Sequence, residues 1–167
     1  MTTTNKEPSQ LSKHAREVID ANLAKYPPDR KQSAVLTALR EVQHDNGGHL
    51  TTELMDQVAA CLDLPPITVY EVASFYSMFE LKPVGRHSVS ICTNVSCMLR
   101  GGEDLVEHAE KKLGIKTGDS TPDGRIYLKQ EEECLAACCG APMMMVDHKY
   151  YENLTPERVD EILDNLK

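Results

Sequence analysis

The placement of the cysteines constrains this chain more than any other feature. Cys92 and Cys97 are separated by four residues, Cys134 and Cys138 by three, and 36 residues lie between the two pairs. The first residues, MTTTNKEP, lack the apolar core of a secretory signal, so we expect the chain in a reducing compartment. Paired thiols in such a compartment indicate a metal site more often than disulfide bonds.

Composition narrows the range of partners. The 167 residues are 41% hydrophobic and 26% charged, which is typical of one folded domain or two small ones. Lys and Arg number 18 against 26 Asp and Glu, so the net charge is −8. This acidic balance argues against nucleic acid and against direct lipid binding. The longest apolar run, residues 141–146, is too short to cross a bilayer, so we expect no direct membrane insertion.

The first half of the chain has helical periodicity. Residues 1–10 are polar, and we expect them to be disordered. Residues 11–84 predict a bundle of four short helices, because apolar residues recur at helical spacing in four segments separated by proline or glycine. We expect Asp29 to cap the second helix and Thr68 with Glu71 to form a capping box for the fourth. The side chains expected to point inward from the fourth helix are Val69, Val72, Ala73 and Tyr76.

The spacing of apolar residues changes at residue 85, from a helical period to alternation. Polar and apolar residues alternate in 87–92 and 125–129, which predicts two strands joined by a helix that ends at Gly114. Two further strands follow at 143–147 and 150–151, and Thr155 with Pro156 begins a last helix. A strand–helix–strand unit of this length favours parallel pairing. The predicted fold class is therefore α+β or α/β: a helical bundle at 11–84, then a βαβ–ββα domain of thioredoxin-like outline at 85–167.

This topology brings the cysteine pairs together. The loops after two parallel strands leave the sheet at the same edge, so we expect the two pairs to meet there. Four thiolates suit either a [2Fe–2S] cluster or a tetrahedral zinc ion. Gaps of four and three residues favour the wider iron cluster, but the spacing leaves zinc and ordinary buried cysteines open. A thiol oxidoreductase needs a C-x-x-C motif, which Cys92 and Cys97 do not form.

The residues around the cysteines resemble a known family. The segments CTNVSCMLRGG (92–102) and ECLAACCGAPMM (133–144) are similar to the thioredoxin-like [2Fe–2S] ferredoxins. The segments VASFYS (72–77) and PVGRH (83–87) are similar to the branch found in bacterial NADH:quinone oxidoreductase, respiratory complex I. The resemblance covers about residues 10–167. It implies that one [2Fe–2S] cluster is held by four ligands, Cys92, Cys97, Cys134 and Cys138.

The resemblance also implies a function and partners. The chain is expected to belong to this NADH dehydrogenase as one of its subunits and to exchange single electrons with FMN. Because its sequence has neither G-x-G-x-x-G nor a P-loop, FMN and NADH are assigned to a partner, the flavin- and NADH-binding subunit of the complex. Further peripheral-arm subunits are expected, with a cytoplasmic location, peripheral on the inner membrane through these partners. The alternatives are the equivalent subunit of an NAD-linked hydrogenase or formate dehydrogenase and, more remotely, a zinc-stabilised interaction module.

Several residues near the cysteines carry separate expectations. The family commonly has glycine where this chain has Ala136; if that position requires a positive φ, alanine costs about 1 kcal/mol. Cys139 is interpreted as a small packed residue, and Cys61 as part of the helical core. Pro142 is a candidate for a cis peptide bond. The glutamates at 131–133 either lower the potential of the cluster or form a solvated acidic run.

Two apolar groups allow two interpretations each. Residues 143–146 form either an apolar wall that keeps water from the sulfurs or an ordinary buried strand. Four aromatic residues cluster near the end of the bundle, where they either anchor a partner or pack internally. They are Tyr70, Phe75, Tyr76 and Phe79.

Overall fold

A computed structural model describes residues 11–129 and 134–167 of the protein. The expectations for residues 1–10 and for the glutamates at 131–133 lie outside the described residues. The chain divides into two units, Met1–Pro83 and Val84–Lys167. The sequence-based boundary, between residues 84 and 85, is next to this division.

The first unit is helical. Its helices are α1 (Lys13–Leu23), α2 (Val35–Asp45), α3 (Thr52–Leu62) and α4 (Pro66–Phe75). α1 and α3 begin at Ser12 and Thr51, whose side chains accept hydrogen bonds from the backbone N–H groups of Ala15 and Leu54. The helices bury one apolar core, in which Ile19, Leu39, Leu50, Val58 and Leu62 are at most 1% exposed. The predicted bundle of four helices is confirmed.

Three details of the helical unit correct the sequence analysis. Asp29 does not cap α2, because a 3-10 turn at Lys31–Ala34 comes first and Ala34 is the N-cap residue. Thr68 and Glu71 lie inside α4 rather than at its start. The helix begins at Pro66, since proline has the φ that the first helical position requires. Tyr76 follows the end of α4 and is 39% exposed, so it does not belong to the inward face.

The second unit is a mixed sheet with helices. Its elements are β1 (His87–Ile91), α5 (Val95–Met98), α6 (Gly102–Leu113), β2 (Ile126–Leu128), a 3-10 turn (Cys138–Gly140), β3 (Met144–Val146), β4 (Lys149–Tyr151) and α7 (Pro156–Asn165). The strand order is β2-β1-β3-β4. β1 and β2 are parallel, whereas β3 is antiparallel to both β1 and β4. This is the βαβ–ββα topology predicted from the sequence.

The core of the second unit lies between the sheet and its two long helices. Leu105 of α6 and Leu163 of α7 pack with sheet residues that include Val89, Ile126 and Met144. Each such side chain contributes about 1.5–3 kcal/mol when fully buried. α6 and α7 are also joined by a contact of 2.7 Å between His108 Nε2 and Asp160 Oδ1. Among the described residues, no helix is long and apolar enough to cross a membrane.

Candidate iron–sulfur site

The ends of three strands meet at one edge of the sheet. β1 ends at Ile91, which pairs with Met144 at the start of the antiparallel strand β3. Cys92 continues this pairing, since its backbone N–H donates to the Met143 carbonyl oxygen at 3.1 Å. β2 is parallel to β1, so the chain also leaves β2 at this edge before it reaches Cys134. The topology therefore directs both cysteine-bearing segments to the same end of the sheet.

The first cysteine pair is buried. Cys92 is 4% exposed and Cys97 is 2% exposed. Both belong to a small apolar cluster with Leu135, Ala141 and Met143. Cys97 lies on α5, a short helix that begins where the Asn94 side chain accepts a hydrogen bond from the Val95 backbone N–H. Burial of this kind keeps water away from the sulfur atoms.

The thiol of Cys97 is less acidic than an ordinary cysteine thiol. Burial, followed by a hydrogen bond with Cys92, raises the pKa of Cys97 from its usual 9.0 to about 11. The charges of Cys92 and Cys138 act in the same direction, and a backbone hydrogen bond from Met143 opposes them. A bound metal ion reverses this balance, because a coordinating thiol is deprotonated.

The second cysteine pair is exposed. Cys134 and Cys138 are both accessible to solvent. The Ala136 backbone N–H donates to Cys134 Sγ at 3.3 Å, and Ala136 has a φ of 59°. The sequence analysis expected alanine to cost about 1 kcal/mol here if the backbone required a positive φ, and this condition is met. The interpretation of Cys139 as a packed residue is wrong, because the 3-10 turn leaves its side chain exposed.

Gly102 brings helix α6 against the first cysteine pair. A Cβ atom at this position would lie 2.8 Å from the Cys92 carbonyl oxygen and 2.9 Å from that of Cys97. These distances are too short for any side chain, and the obstructing atoms belong to the backbone. Gly102 therefore permits the close approach of the helix to both cysteine backbones.

Residues 143–146 fit both interpretations that the sequence analysis gave them. Met143 is fully buried with the cysteine pair, and Met145 packs against the same cluster. Met144 and Val146 point to the other face, into the core between the sheet and the helices. Alternate residues of a strand face opposite sides, so the segment is both an apolar wall and a buried strand. The Ala141–Pro142 peptide bond, for which the sequence offered only a candidate, is cis.

The other candidate residues lie in the helical unit. Cys61 is partly buried and packs against the helical core, as expected. Of the four aromatic residues, Phe79 is buried in that core, and the Tyr70 hydroxyl donates to Asp56. Phe75 is 80% exposed, and its ring lies edge to face with that of Tyr76, with 5.0 Å between the ring centroids. Internal packing therefore accounts for Phe79 but not for Phe75.

The sequence analysis missed helix α5 and its outer surface. Val95, Met98 and Leu99 are 62%, 44% and 76% exposed, although Cys97 of the same helix is buried. Asn94, a favoured N-cap residue, was the available signal for this helix. The cysteine end of the sheet thus carries exposed apolar side chains as well as exposed thiols.

The donor set at this edge fits an iron–sulfur cluster by its chemistry. Within residues 11–129 and 134–167, no three His, Cys, Asp or Glu side chains lie close enough together to hold a metal ion. The chemistry nevertheless fits, because two cysteine pairs directed to one edge of a sheet supply four soft sulfur donors. One pair lies in apolar surroundings and the other lies open to solvent.

Comparison with known proteins agrees with this chemistry. Residues 19–167 match the family model described as thioredoxin-like [2Fe-2S] ferredoxin. The E-type subunit of the NADH-quinone oxidoreductase of Rickettsia bellii is 44% identical over 145 residues, which is 87% of this chain and 86% of that protein. The mitochondrial NADH dehydrogenase [ubiquinone] flavoprotein 2 of Dictyostelium discoideum is 42% identical over 149 residues, 89% of this chain and 60% of that protein.

A solved structure shows the same fold. The air-oxidised NAD+-reducing [NiFe]-hydrogenase aligns with 79% of this chain and 22% of its own chain, with a TM-score of 0.66 and 22% identity. This likeness concerns the fold alone. The family match over most of the chain, together with relatives above 40% identity, leads to one conclusion. The chain belongs to the thioredoxin-like [2Fe–2S] ferredoxin family.

Proposed function

We propose that this chain is the electron-transfer subunit of an NADH:quinone oxidoreductase. The observation that carries the proposal is the 44% identity to the Rickettsia bellii protein, which extends over 86% of that relative. The sheet topology supports it, since both cysteine-bearing segments leave the sheet at one edge. In this role the chain carries one [2Fe–2S] cluster and exchanges single electrons with the FMN of a partner that binds NADH.

The ligands proposed for the cluster are Cys92, Cys97, Cys134 and Cys138. When bound, the cluster supplies a site that takes up and returns one electron at a time. The residues of the chain set its surroundings. Met143 and Leu135 exclude water on the side of the buried pair. Gly102 allows the backbone of Cys92 and Cys97 to lie against helix α6.

The proposed partner is the flavin-bearing subunit of the complex, together with further subunits of the peripheral arm. The exposed side chains of Val95, Met98 and Leu99 support a protein contact at the cysteine end, because interfaces bury apolar residues of this kind. Through these subunits the chain is placed on the cytoplasmic side of the inner membrane. NADH and FMN are bound by the partner in this proposal.

Anaerobic purification of the full chain tests the cluster. We expect a red-brown protein with two irons and two sulfides per chain, whose visible absorption bleaches with dithionite. Zinc in a 1:1 ratio, without bleaching, contradicts the proposal and supports the zinc-stabilised module.

Serine substitution tests the ligands one at a time. Replacement of Cys92, Cys97, Cys134 or Cys138 is expected to abolish or alter the cluster spectrum. Cys139→Ser is the matched control, because it changes an exposed neighbour of Cys138. A normal cluster spectrum in Cys138→Ser would refute the assignment.

The parent complex is a separate question. The likeness to the NAD+-reducing hydrogenase shows a shared fold, whereas the sequence relatives with more than 40% identity bear the names of NADH dehydrogenase subunits. Affinity purification of the tagged chain from its own cells separates the possibilities. We expect a flavoprotein and quinone-reducing subunits; hydrogenase or formate dehydrogenase subunits in their place would favour the alternative complex.

A further inference from the structure

Ala136 has a strained backbone beside one of the cysteines. Its φ of 59° lies in the left-handed region, which glycine adopts readily and alanine does not. In this conformation its N–H donates to Cys134 Sγ at 3.3 Å, within the sulfur hydrogen-bond range. Such strain persists only where the surrounding structure enforces it, and it often marks a functional position.

Both sides of Ala136 are held in place. Leu135 is 6% exposed and packs in the apolar cluster that contains Cys92 and Cys97. On the other side, the Ala137 carbonyl oxygen accepts a hydrogen bond from the Gly140 backbone N–H at 3.0 Å. The buried leucine and the 3-10 turn thus fix the peptide between them. The N–H of Ala136 is aimed by the fold rather than by a mobile loop.

The hydrogen bond from Ala136 ends on one of the four proposed cluster ligands. Hydrogen bonds to the sulfur ligands are one of the factors that set the reduction potential of an iron–sulfur cluster.

We propose that Ala136 is a positioning residue whose backbone N–H raises the reduction potential of the cluster through Cys134. The inference rests on the proposed function. Reduction adds one negative charge, part of which resides on the sulfur ligands. A fixed N–H dipole stabilises this charge, since hydrogen bonds to ionised acceptors are stronger than those to neutral ones. The side chain of Ala136 has no role in this effect; the left-handed backbone provides it.

Removal of the N–H is the direct test. Lactic acid, the hydroxy-acid counterpart of alanine, is incorporated at position 136 of the full chain, so that an ester oxygen replaces the N–H. We expect the midpoint potential from a dye-mediated EPR titration to shift to lower values. Ala136→Gly is the matched control: it keeps the N–H and the left-handed conformation, and its potential is expected to equal that of the unmodified chain. An ester variant with a full cluster and an unchanged potential overturns the inference, even if its thermal stability is reduced.

A second measurement does not require the ester variant to assemble its cluster. The reduced chain is labelled with 15N-alanine and studied by pulsed EPR. We expect a 15N coupling that disappears in Ala136→Gly, because residue 136 is then unlabelled. Identical couplings in both proteins overturn the inference while the proposed function stands. An unmodified chain that carries no cluster overturns the proposed function itself.

Discussion

The two cysteine pairs share one edge of the sheet but have different surroundings. Cys92 and Cys97 are at most 4% exposed and belong to an apolar cluster, whereas Cys134 and Cys138 are accessible to solvent. The first pair follows β1 directly and packs under α6. The second pair lies between β2 and β3, where Cys138 begins the 3-10 turn Cys138–Gly140. A cofactor held by all four cysteines would therefore face the protein interior on one side and the surface on the other.

The geometry of the two cysteine pairs is therefore determined in two different ways. On the buried side, contacts between distant residues determine the geometry, as the close approach at Gly102 shows. On the exposed side, local backbone conformation determines it, as the positive φ of Ala136 shows. The buried side is expected to tolerate few changes, and the exposed side to respond chiefly to changes in its backbone.

The largest expected difference is in thiol reactivity. In the cluster-free chain, an alkylating reagent at pH 8 should modify the exposed thiols of Cys134, Cys138 and Cys139 about 100-fold faster than Cys97. Only the thiolate reacts, and the rise in the pKa of Cys97 from 9.0 to about 11 leaves about one hundredth of the usual thiolate. Peptide mass spectrometry over time measures the rates. Equal rates at all sites would remove the distinction between the two pairs.

A methyl group at Gly102 tests the packing of the buried side. Gly102→Ala should lower the free energy of unfolding by about 1–3 kcal/mol, because the new Cβ meets backbone atoms that cannot move aside. Chemical denaturation of the cluster-free chain measures the change. Glu107→Ala on the same helix is the control; it removes an exposed ion pair with Lys111 and should cost less than about 0.5 kcal/mol. Similar values for the two variants would contradict the close packing.

Two neighbouring alanines test the backbone of the exposed side. Ala136→Gly should raise the free energy of unfolding by about 1 kcal/mol, because it relieves the left-handed alanine. Ala137→Gly should lower it by about 0.4–1 kcal/mol, because Ala137 has a φ of −125° and glycine there only adds freedom to the unfolded chain. Urea denaturation of both variants gives the signs. Two changes of the same sign would mean that Ala136 is not strained.

The smallest change in stability is expected from His87, which lies at the end of β1 away from the cysteines. Its ring contacts Asp147 Oδ2 at 2.6 Å and the Lys167 backbone oxygen at 2.8 Å, and these contacts raise the pKa of His87. A raised folded-state pKa stabilises the protein fully below about pH 6.5, and this stability is lost as the pH rises through the folded-state value. Thermal unfolding from pH 5.5 to 8.5 should show a loss of less than about 1 kcal/mol.

His87→Gln provides the control for this pH dependence. We expect it to flatten the pH profile between 5.5 and 8.5 and to leave the alkylation rates of the cysteines unchanged. Altered cysteine reactivity in this variant would show that the two ends of the strand are coupled. A pH profile identical to that of the unmodified chain would show that His87 contributes nothing to it.

Much of the fold was predictable because its signals are local. Apolar spacing identified the four long helical segments of the first unit, and alternation identified the strands. The errors occurred where two local signals lay side by side or where an element was too short to show a period. Thr68 and Glu71 resemble a capping box, but Pro65 and Pro66 begin α4 earlier. Helix α5 is a single turn, too short for periodicity to reveal.

The order of helices and strands could be predicted from the amino-acid sequence, because strand and helix periods, proline and glycine act over a few residues. The candidate ligands came from the cysteine spacing together with the family resemblance. Contacts in the folded chain settle which pair is buried, leave Cys139 exposed and direct the Ala136 N–H to Cys134. Burial depends on contacts between segments far apart in the chain. The left-handed turn at Ala136 arises in the same way, since the packing of Leu135 against Cys92 and Cys97 holds it in place.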